Sequence, residues 1–268
     1  MSKKALGTAL VTGASTGIGA VYADRLARRG YDLILVARDR ARLEAVAARL
    51  RSATGRTAEA LPADLATPED LARLQHRLAN DPAITMLVNN AGIALHGGLL
   101  ENGPAALERL IAVNVTAPTL LASAAAKAFV GRKSGTIVNI ASVLALAPEV
   151  LEGVYSGTKA FLLNLSIALA QTVRNAGVRV QVVLPGATRT EIWERSGRDV
   201  DALLPGMVME VGDLVDAALA GLDQGETVTI PPLADEGLWV AYEKARLALA
   251  PHLSSPEAAA RYRQPLAA

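Results

Sequence analysis

The chain contains no cysteine, which excludes disulfides, thiolate nucleophiles and thiolate metal ligands. It has only three histidines, His76, His96 and His252, and none has a partner at metal-ligand spacing, so no metal is expected. Neither sign of charge dominates. The 27 Lys and Arg against 26 Asp and Glu leave a net charge of +1. That balance gives no electrostatic reason to expect nucleic acid or an anionic membrane as partner. No run approaches the ~20 apolar residues that span a bilayer. The apolar stretch behind the basic start Met1-Ser-Lys-Lys is short and interrupted by Thr8, Thr12 and Gly13, so it reads as a first strand and not as a signal peptide. With the missing cysteines, this sets the expectation of a cytoplasmic protein. Internal repeats, low-complexity segments and linker-like composition shifts are also missing, which points to one domain over 1–268.

What is present is a chain of 268 residues, 51% apolar and 20% charged, long enough for a sizeable core. Short aliphatic runs alternate with longer amphipathic ones. Strands are expected at 9–12, 32–37, 58–61, 84–89, 136–140, 178–183 and 227–230. Helices are expected at about 17–29, up to about 51, 68–78, 104–130 and from Tyr155 onward. Continuous apolar strands separated by helices describe an α/β fold with a doubly wound parallel sheet covered on both faces. The segments 190–211 and 233–268 break the alternation and are read as elements over the open end of the sheet, a substrate lid and a C-terminal extension.

Two stretches carry chemistry. The first strand-to-helix turn reads Thr12-Gly-Ala-Ser-Thr-Gly-Ile-Gly19. Gly13 permits a tight turn, while Gly17 and Gly19 let backbone N–H groups approach a phosphate and the helix pack closely on the sheet. The spacing is G-x-x-x-G-x-G and departs from the G-x-G-x-x-G dinucleotide fingerprint. The second stretch is Gly153-Val-Tyr-Ser-Gly-Thr-Lys-Ala160, where Tyr155 and Lys159 stand four apart. On a helix that spacing puts both side chains on one face. A phenol has an unperturbed pKa of about 10, and a neighbouring ammonium lowers it, so the pair can exchange protons with a substrate oxygen near neutrality.

With these two stretches, further positions follow in a fixed order: Asp64 after the third strand, Asn89-Asn-Ala-Gly92 ending the fourth, Asn114 in the long helix, Ser142 ending the fifth strand, and Pro185-Gly-Ala-Thr-Arg-Thr190. The chain from about Thr8 to Ile230 thereby resembles the short-chain dehydrogenase/reductase family, with its Rossmann fold. The final stretch carries no family motif. The resemblance implies a catalytic set of Asn114, Ser142, Tyr155 and Lys159. Tyr155 would pass a proton to a ketone oxygen as hydride arrives, or take it from an alcohol. Lys159 would lower the Tyr155 pKa and bind the nicotinamide ribose. Ser142 would hold the substrate oxygen, and Asn114 a water linking Lys159 to solvent.

The resemblance also implies the dinucleotide contacts. Gly13, Ser15, Thr16, Gly17, Ile18 and Gly19 would surround the phosphates. Asp64 would meet the adenine amine, with the Leu65 backbone beside it. Asn90, Ala91 and Gly92 would lie along the ribose, and Pro185, Gly186, Thr188 and Thr190 at the carboxamide and phosphate end. The end of the second strand reads Leu35-Val-Ala-Arg-Asp39, with Ala37 where an NAD-selecting acid would stand and Arg38 next. A neutral residue followed by a guanidinium suits the 2′-phosphate of NADP(H) better than NAD(H). Asp39 either pairs with Arg38 or begins the next helix.

The loops above the catalytic set are mostly aliphatic. They run over 143–152 and 191–211, with Trp193, Leu203, Leu204, Met207, Val208 and Met209. They lack a cluster of cations, so an uncharged, fairly apolar carbonyl or alcohol is the expected substrate. His96 reads as a loop residue. Small and apolar residues on several sides of the helices bearing Asn114 and Tyr155 suit a homodimer or homotetramer, an arrangement common in the family. Two alternatives stand beside the oxidoreductase: a 3-oxoacyl-thioester reductase, and a dinucleotide-sensing binding protein without turnover. The presence of Tyr155, Lys159, Ser142 and Asn114 together favours an enzyme over the sensor.

Overall fold

Seven parallel strands form one sheet in the order β3-β2-β1-β4-β5-β6-β7. The structure, a computed structural model, describes residues 6–150, 153–191, 200 and 205–263. The strands are β1 Thr8–Thr12, β2 Asp32–Ala37, β3 Ala58–Pro62, β4 Ile84–Asn89, β5 Gly135–Ile140, β6 Val178–Val183 and β7 Val228–Thr229. The helices are α1 Gly17–Arg29, α2 Arg40–Thr54, α3 Pro68–Asn80, α4 Pro104–Ile111, α5 Ala117–Arg132, α6 Gly153–Val173, α7 Val211–Gln224 and α8 Glu236–Leu249. The chain divides into two compact units, Met1–Pro232 and Leu233–Ala268. The second contains α8, where Trp239 stacks on Tyr242 and no residue of the helix is buried. Trp193, Leu203, Leu204 and the loop residues Leu151 and Glu152 lie outside the described residues.

Side chains alternate across the strands, and both faces are covered, which is why the strands read as continuous apolar runs. Ala9 and Val11 of β1, Leu33 and Leu35 of β2, and Met86 and Val88 of β4 share one core with Tyr22 and Leu26 of α1 and Leu43 of α2. Their neighbours Leu10, Ile34, Val36, Ile84 and Leu87 pack on the other face, against Leu71, Leu74 and Leu78 of α3 and Leu121, Ala125 and Phe129 of α5.

Several boundaries differ from the sequence expectation for identifiable reasons. Helix α2 runs past 51 to Thr54 because Gly55, at φ +67°, accommodates the left-handed cap there. Helix α6 begins at Gly153, so Tyr155 lies in its first turn and does not start it. Strand β7 has two residues, not four, and is followed by Ile230 and two prolines, Pro231 and Pro232, which cannot donate to a ladder.

The long helix expected at 104–130 is continuous through Arg132 but contains a π-helical stretch, Ala112–Thr116, between α4 and α5. By length and composition the 29 residues Pro104–Arg132 are apolar enough to cross a membrane, contrary to the expectation that no run comes close. Half of its most apolar window is buried, and Leu121, Ala125 and Phe129 cover the sheet. It is therefore packed as a core helix.

Candidate active site

The strand order reverses between β1 and β4, the position where doubly wound sheets open a crevice at their carboxyl ends. The glycine turn lies there. Gly13 and Gly17 have φ of +67° and +54°, and a Cβ on Gly19 would run into the Gly13 carbonyl. Only glycine fits this path. Asn90 fastens the turn by donating Nδ2 to the Thr12 carbonyl at 2.9 Å and the Gly13 carbonyl at 3.3 Å. The Thr12 hydroxyl accepts the N–H groups of Asn90 and Ala91, both at 3.0 Å, and donates to Val88. Thr16 precedes α1 without a side-chain cap, and the first turn holds no acidic residue. The N–H groups of Gly17, Ile18 and Gly19 thus take no cap from the Thr16 side chain, an arrangement that suits an anionic ligand. Thr190 leans on the same turn, since a Cβ on Gly17 would sit 3.4 Å from its methyl group. The Thr190 hydroxyl is 3.4 Å from the Thr188 carbonyl, and the Thr188 hydroxyl donates to Gly186 at 3.0 Å. Ser15 lies between Gly13 and Gly17 in the turn.

At the ends of β2 and β3 three charges gather. Arg38 is exposed and, among the described residues, forms no ion pair. Asp39 does not take it up: its carboxylate caps α2 by accepting the Arg42 N–H at 3.0 Å. Arg42 in turn pairs with Glu191 at 2.9 Å. Asp64 accepts the Ala66 N–H at 3.0 Å and the Arg109 guanidinium at 2.8 and 3.1 Å. Partial burial pushes the Asp64 carboxyl up, but the Ala66 N–H, Arg109 and the charge of Arg38 outweigh it and hold the group below the ordinary carboxylate range. Leu65 is buried beside it.

The elements carrying Asn114, Ser142, Tyr155 and Lys159 converge next to this crevice. Lys159 is 5% exposed and donates Nζ to the Ile140 carbonyl, the last residue of β5, at 3.0 Å. Its Nζ lies 5.5 Å from the centroid of the half-buried Tyr155 ring. Burial lowers the Lys159 pKa from 10.5 to about 8. Asn114, in the π-helical stretch, accepts the Ile93 N–H and donates to the Ile93 carbonyl, both at 2.9 Å, and also donates to Thr158 Oγ1 at 3.2 Å. A Cβ on Gly92 would sit 3.4 Å from Lys159 Nζ and 3.5 Å from Asn114 Oδ1, so both groups border the Asn90-Ala91-Gly92 segment. Ser142 is buried directly after Ala141, and its Oγ accepts the Leu144 N–H at 3.2 Å. The neighbouring Val143 N–H donates to the Pro185 carbonyl at 2.9 Å, which places the Pro185-Gly186 segment against the end of β5.

Thr12, Thr158 and Arg109 connect these groups and escape a reading of the sequence. Thr12 and Thr158 act through hydroxyls that look like ordinary strand and helix residues, and Arg109 stands 45 positions from Asp64. Among the described residues no group of three His, Asp or Glu side chains is arranged to hold a metal ion. His96 is a loop residue whose carbonyl accepts Asn102 Nδ2.

Known proteins share this fold. Over 96% of this chain and 100% of its own, the structure of a short-chain dehydrogenase from Sphingobium yanoikuyae in complex with NADPH superposes with a TM-score of 0.93 at 53% identity. A bulky-bulky ketone specific alcohol dehydrogenase from Comamonas testosteroni covers 97% of this chain and 99% of its own, with a TM-score of 0.89 and 44% identity. Human 17-beta-hydroxysteroid dehydrogenase type 3 is 34% identical over 184 residues, 68% of this chain but only 59% of the relative's length. The sequence profile described as short chain dehydrogenase matches residues 7–201, from β1 through both glycine- and tyrosine-bearing motifs. With that match and the doubly wound sheet, the chain belongs to the short-chain dehydrogenase family.

Proposed function

We propose that the protein transfers hydride between NADP(H) and the carbonyl carbon of a ketone, or the carbinol carbon of the matching secondary alcohol. The observation that carries this reading is the buried Lys159 ammonium beside the Tyr155 ring, next to the Asn90-Ala91-Gly92 segment whose Asn90 fastens the glycine turn. The residues present fit the dinucleotide: glycines at 13 and 19 let the turn close on Asn90 and on its own backbone, where a Cβ would collide, the first turn of α1 is uncapped, and Arg38 is exposed at the end of β2. Gly13 to Gly19 would hold the pyrophosphate, Arg38 the 2′-phosphate, Asp64 and Leu65 the adenine, and the segments 90–92 and 185–190 the nicotinamide half. When bound, the dinucleotide supplies or accepts the hydride. The Tyr155 hydroxyl gives its proton to the carbonyl oxygen as that oxygen gains charge, and retrieves one in the reverse direction. Ser142 Oγ donates a hydrogen bond to the same oxygen. The Lys159 charge favours the Tyr155 phenolate, and Asn114 holds the water that reconnects Lys159 with solvent.

The substrate class follows from the rim. Leu99 and Leu100 after β4, Leu146 and Val150 after β5, and Met207 after β6 are large apolar side chains exposed on loops at the carboxyl end of adjacent strands, Leu100 to 95%. An apolar, open rim of this kind suits a ketone with large groups on both sides. A panel of aryl and alicyclic ketones, small oxoacids and oxoacyl thioesters tests this. Higher kcat/KM for the bulky ketones is expected. Preference for the thioesters would make the protein a 3-oxoacyl-thioester reductase, and tight NADPH binding with no turnover on any of them would make it a nucleotide sensor.

Arg38 sets the cofactor. Losing a charge-assisted contact with a phosphate costs about 1.5–3 kcal/mol, so Arg38→Ala should raise the KM for NADPH roughly 10- to 100-fold and leave that for NADH nearly unchanged. Equal kcat/KM for NADPH and NADH in the unaltered protein would refute NADP(H) selection. Exposed Ile111, Leu120 and Phe161 on α4, α5 and α6 support assembly through these helices, a homodimer or homotetramer. Sedimentation of a monomer alone would remove that assignment.

A further inference from the structure

Behind the site lies a buried polar run that the proposed chemistry does not use. Asn89 and Asn139 face each other in the β4–β5 pairing. Asn89 Nδ2 donates to Asn139 Oδ1 at 3.0 Å and to the Pro118 carbonyl at 3.2 Å. Asn139 Nδ2 donates to Ser166 Oγ at 2.9 Å, and the Ser166 hydroxyl passes its own proton to the Leu162 carbonyl at 2.6 Å. Exposure is 4% for Asn89 and 0% for both Asn139 and Ser166. Among the described residues the Asn89 Oδ1 atom has no hydrogen-bond partner. Polar groups in a dry interior carry a desolvation cost, and apolar side chains could fill the same space. What apolar packing lacks is direction: a helix can slide along a sheet on leucines, whereas a hydrogen bond to one atom fixes its place.

The run touches residues that stand near Asn114 and Lys159 in the chain. Pro118 is one turn past Asn114, and Asn139 precedes Ile140, whose carbonyl holds Lys159. Ser166 stands two turns past Lys159 on the same face of α6. Helix α6 therefore meets β5 through two polar bonds two turns apart, Lys159 to Ile140 and Ser166 to Asn139. Two such points fix both the translation and the rotation of the helix on the strand.

We infer that Asn139 and Ser166 are positioning residues: their hydrogen bond sets α6 on β5 so that Tyr155 and Lys159 face Ser142 across the reacting oxygen. This rests on the hydride-transfer reading above. A misplacement of about 1 Å at a reacting centre can cost around 100-fold in rate, so a partial slip of α6 predicts a loss of about tenfold.

The test compares Ser166→Ala, Ser166→Thr, Asn139→Leu and the double variant Asn139→Leu/Ser166→Ala, with kcat expressed per NADPH-binding site so that misfolded protein does not count. Ser166→Ala and Asn139→Leu should each lower kcat about tenfold, with the KM for NADPH within about twofold and a larger solvent isotope effect. Ser166→Thr, which keeps the hydroxyl, should recover most of the rate. The double variant should be no slower than the slower single one. A second readout needs no turnover: the Lys159 pKa, followed by NMR of isotope-labelled lysine, should move upward in Ser166→Ala as the helix slips and the ammonium gains water. If the unaltered protein turns over no carbonyl, the hydride-transfer reading fails, and the Lys159 titration still decides the positioning. Unchanged kcat per site and an unchanged Lys159 titration, with only the melting temperature lowered, would overturn it and leave the run a purely structural one.

Discussion

Tyr155→Phe should lower kcat about a thousandfold, within the range that a single proton-transferring side chain contributes, while NADPH affinity stays within about twofold. The substitution removes one oxygen and nothing else. The ring keeps its place in the first turn of α6, and its contact with the Lys159 ammonium at 5.5 Å does not need the hydroxyl. Tyr155 is half-buried, and the melting temperature of the variant checks that the fold is kept. The separation of rate from affinity is the discriminating part. If Tyr155 only lined the cofactor crevice, its loss would raise the KM for NADPH and spare kcat. Steady-state rates beside a nicotinamide-fluorescence titration measure both. A variant retaining more than about a tenth of the rate would mean that another group moves the proton, since general acid–base catalysis contributes at least about 100-fold.

The sheet was legible because its signals are local. Strands β2 and β4 begin and end where their apolar runs do, and Gly30 at φ +108° closes α1 where the sequence places a stop. Signals that depend on three-dimensional proximity were not legible. An α-helix and a π-helical stretch have nearly the same apolar pattern, so nothing at Ala112–Thr116 distinguishes the turn that carries Asn114. Asp39 stands between two arginines, and only the path of α2 assigns it to the Arg42 N–H and leaves Arg38 unclaimed by it. In the candidate site, motif order named residues scattered along the chain, and the structure brings three of them, Asn114, Lys159 and Gly92, within reach of one another. Of the groups that hold them, Thr12 and Thr158 stand inside the glycine and tyrosine stretches, while Arg109, Asn139 and Ser166 belong to no motif; all five act through a partner far away in the chain, which no local pattern reveals.

Lys159→Met should abolish most activity and yet make the protein more stable near neutral pH. Burial lowers the Lys159 pKa from 10.5, its value in the unfolded chain, to about 8. Below about pH 8 both states carry the proton, and the folded state bears the cost of a buried ammonium. Between about 8 and 10.5 the unfolded chain binds a proton that the folded protein has released, so stability rises with pH across that window and levels off above it. The difference between the two pKa values corresponds to about 3 kcal/mol. Methionine fills the same space without the charge but leaves the Ile140 carbonyl without its donor, an opposing loss of about 1–3 kcal/mol. A net gain of about 1 kcal/mol is expected at pH 7, a rise of roughly 2–4 °C in Tm. The variant should also lose the increase in stability between pH 8 and 10.5 that the unaltered protein shows. Thermal unfolding at pH 7 and pH 9.5 measures both effects, and a variant less stable than the parent at pH 7 would mean that the bond to Ile140 outweighs the buried charge. The expected result places the destabilising ammonium where it is needed: beside Tyr155, a charge that weakens the fold is what lets a phenol release its proton near neutrality.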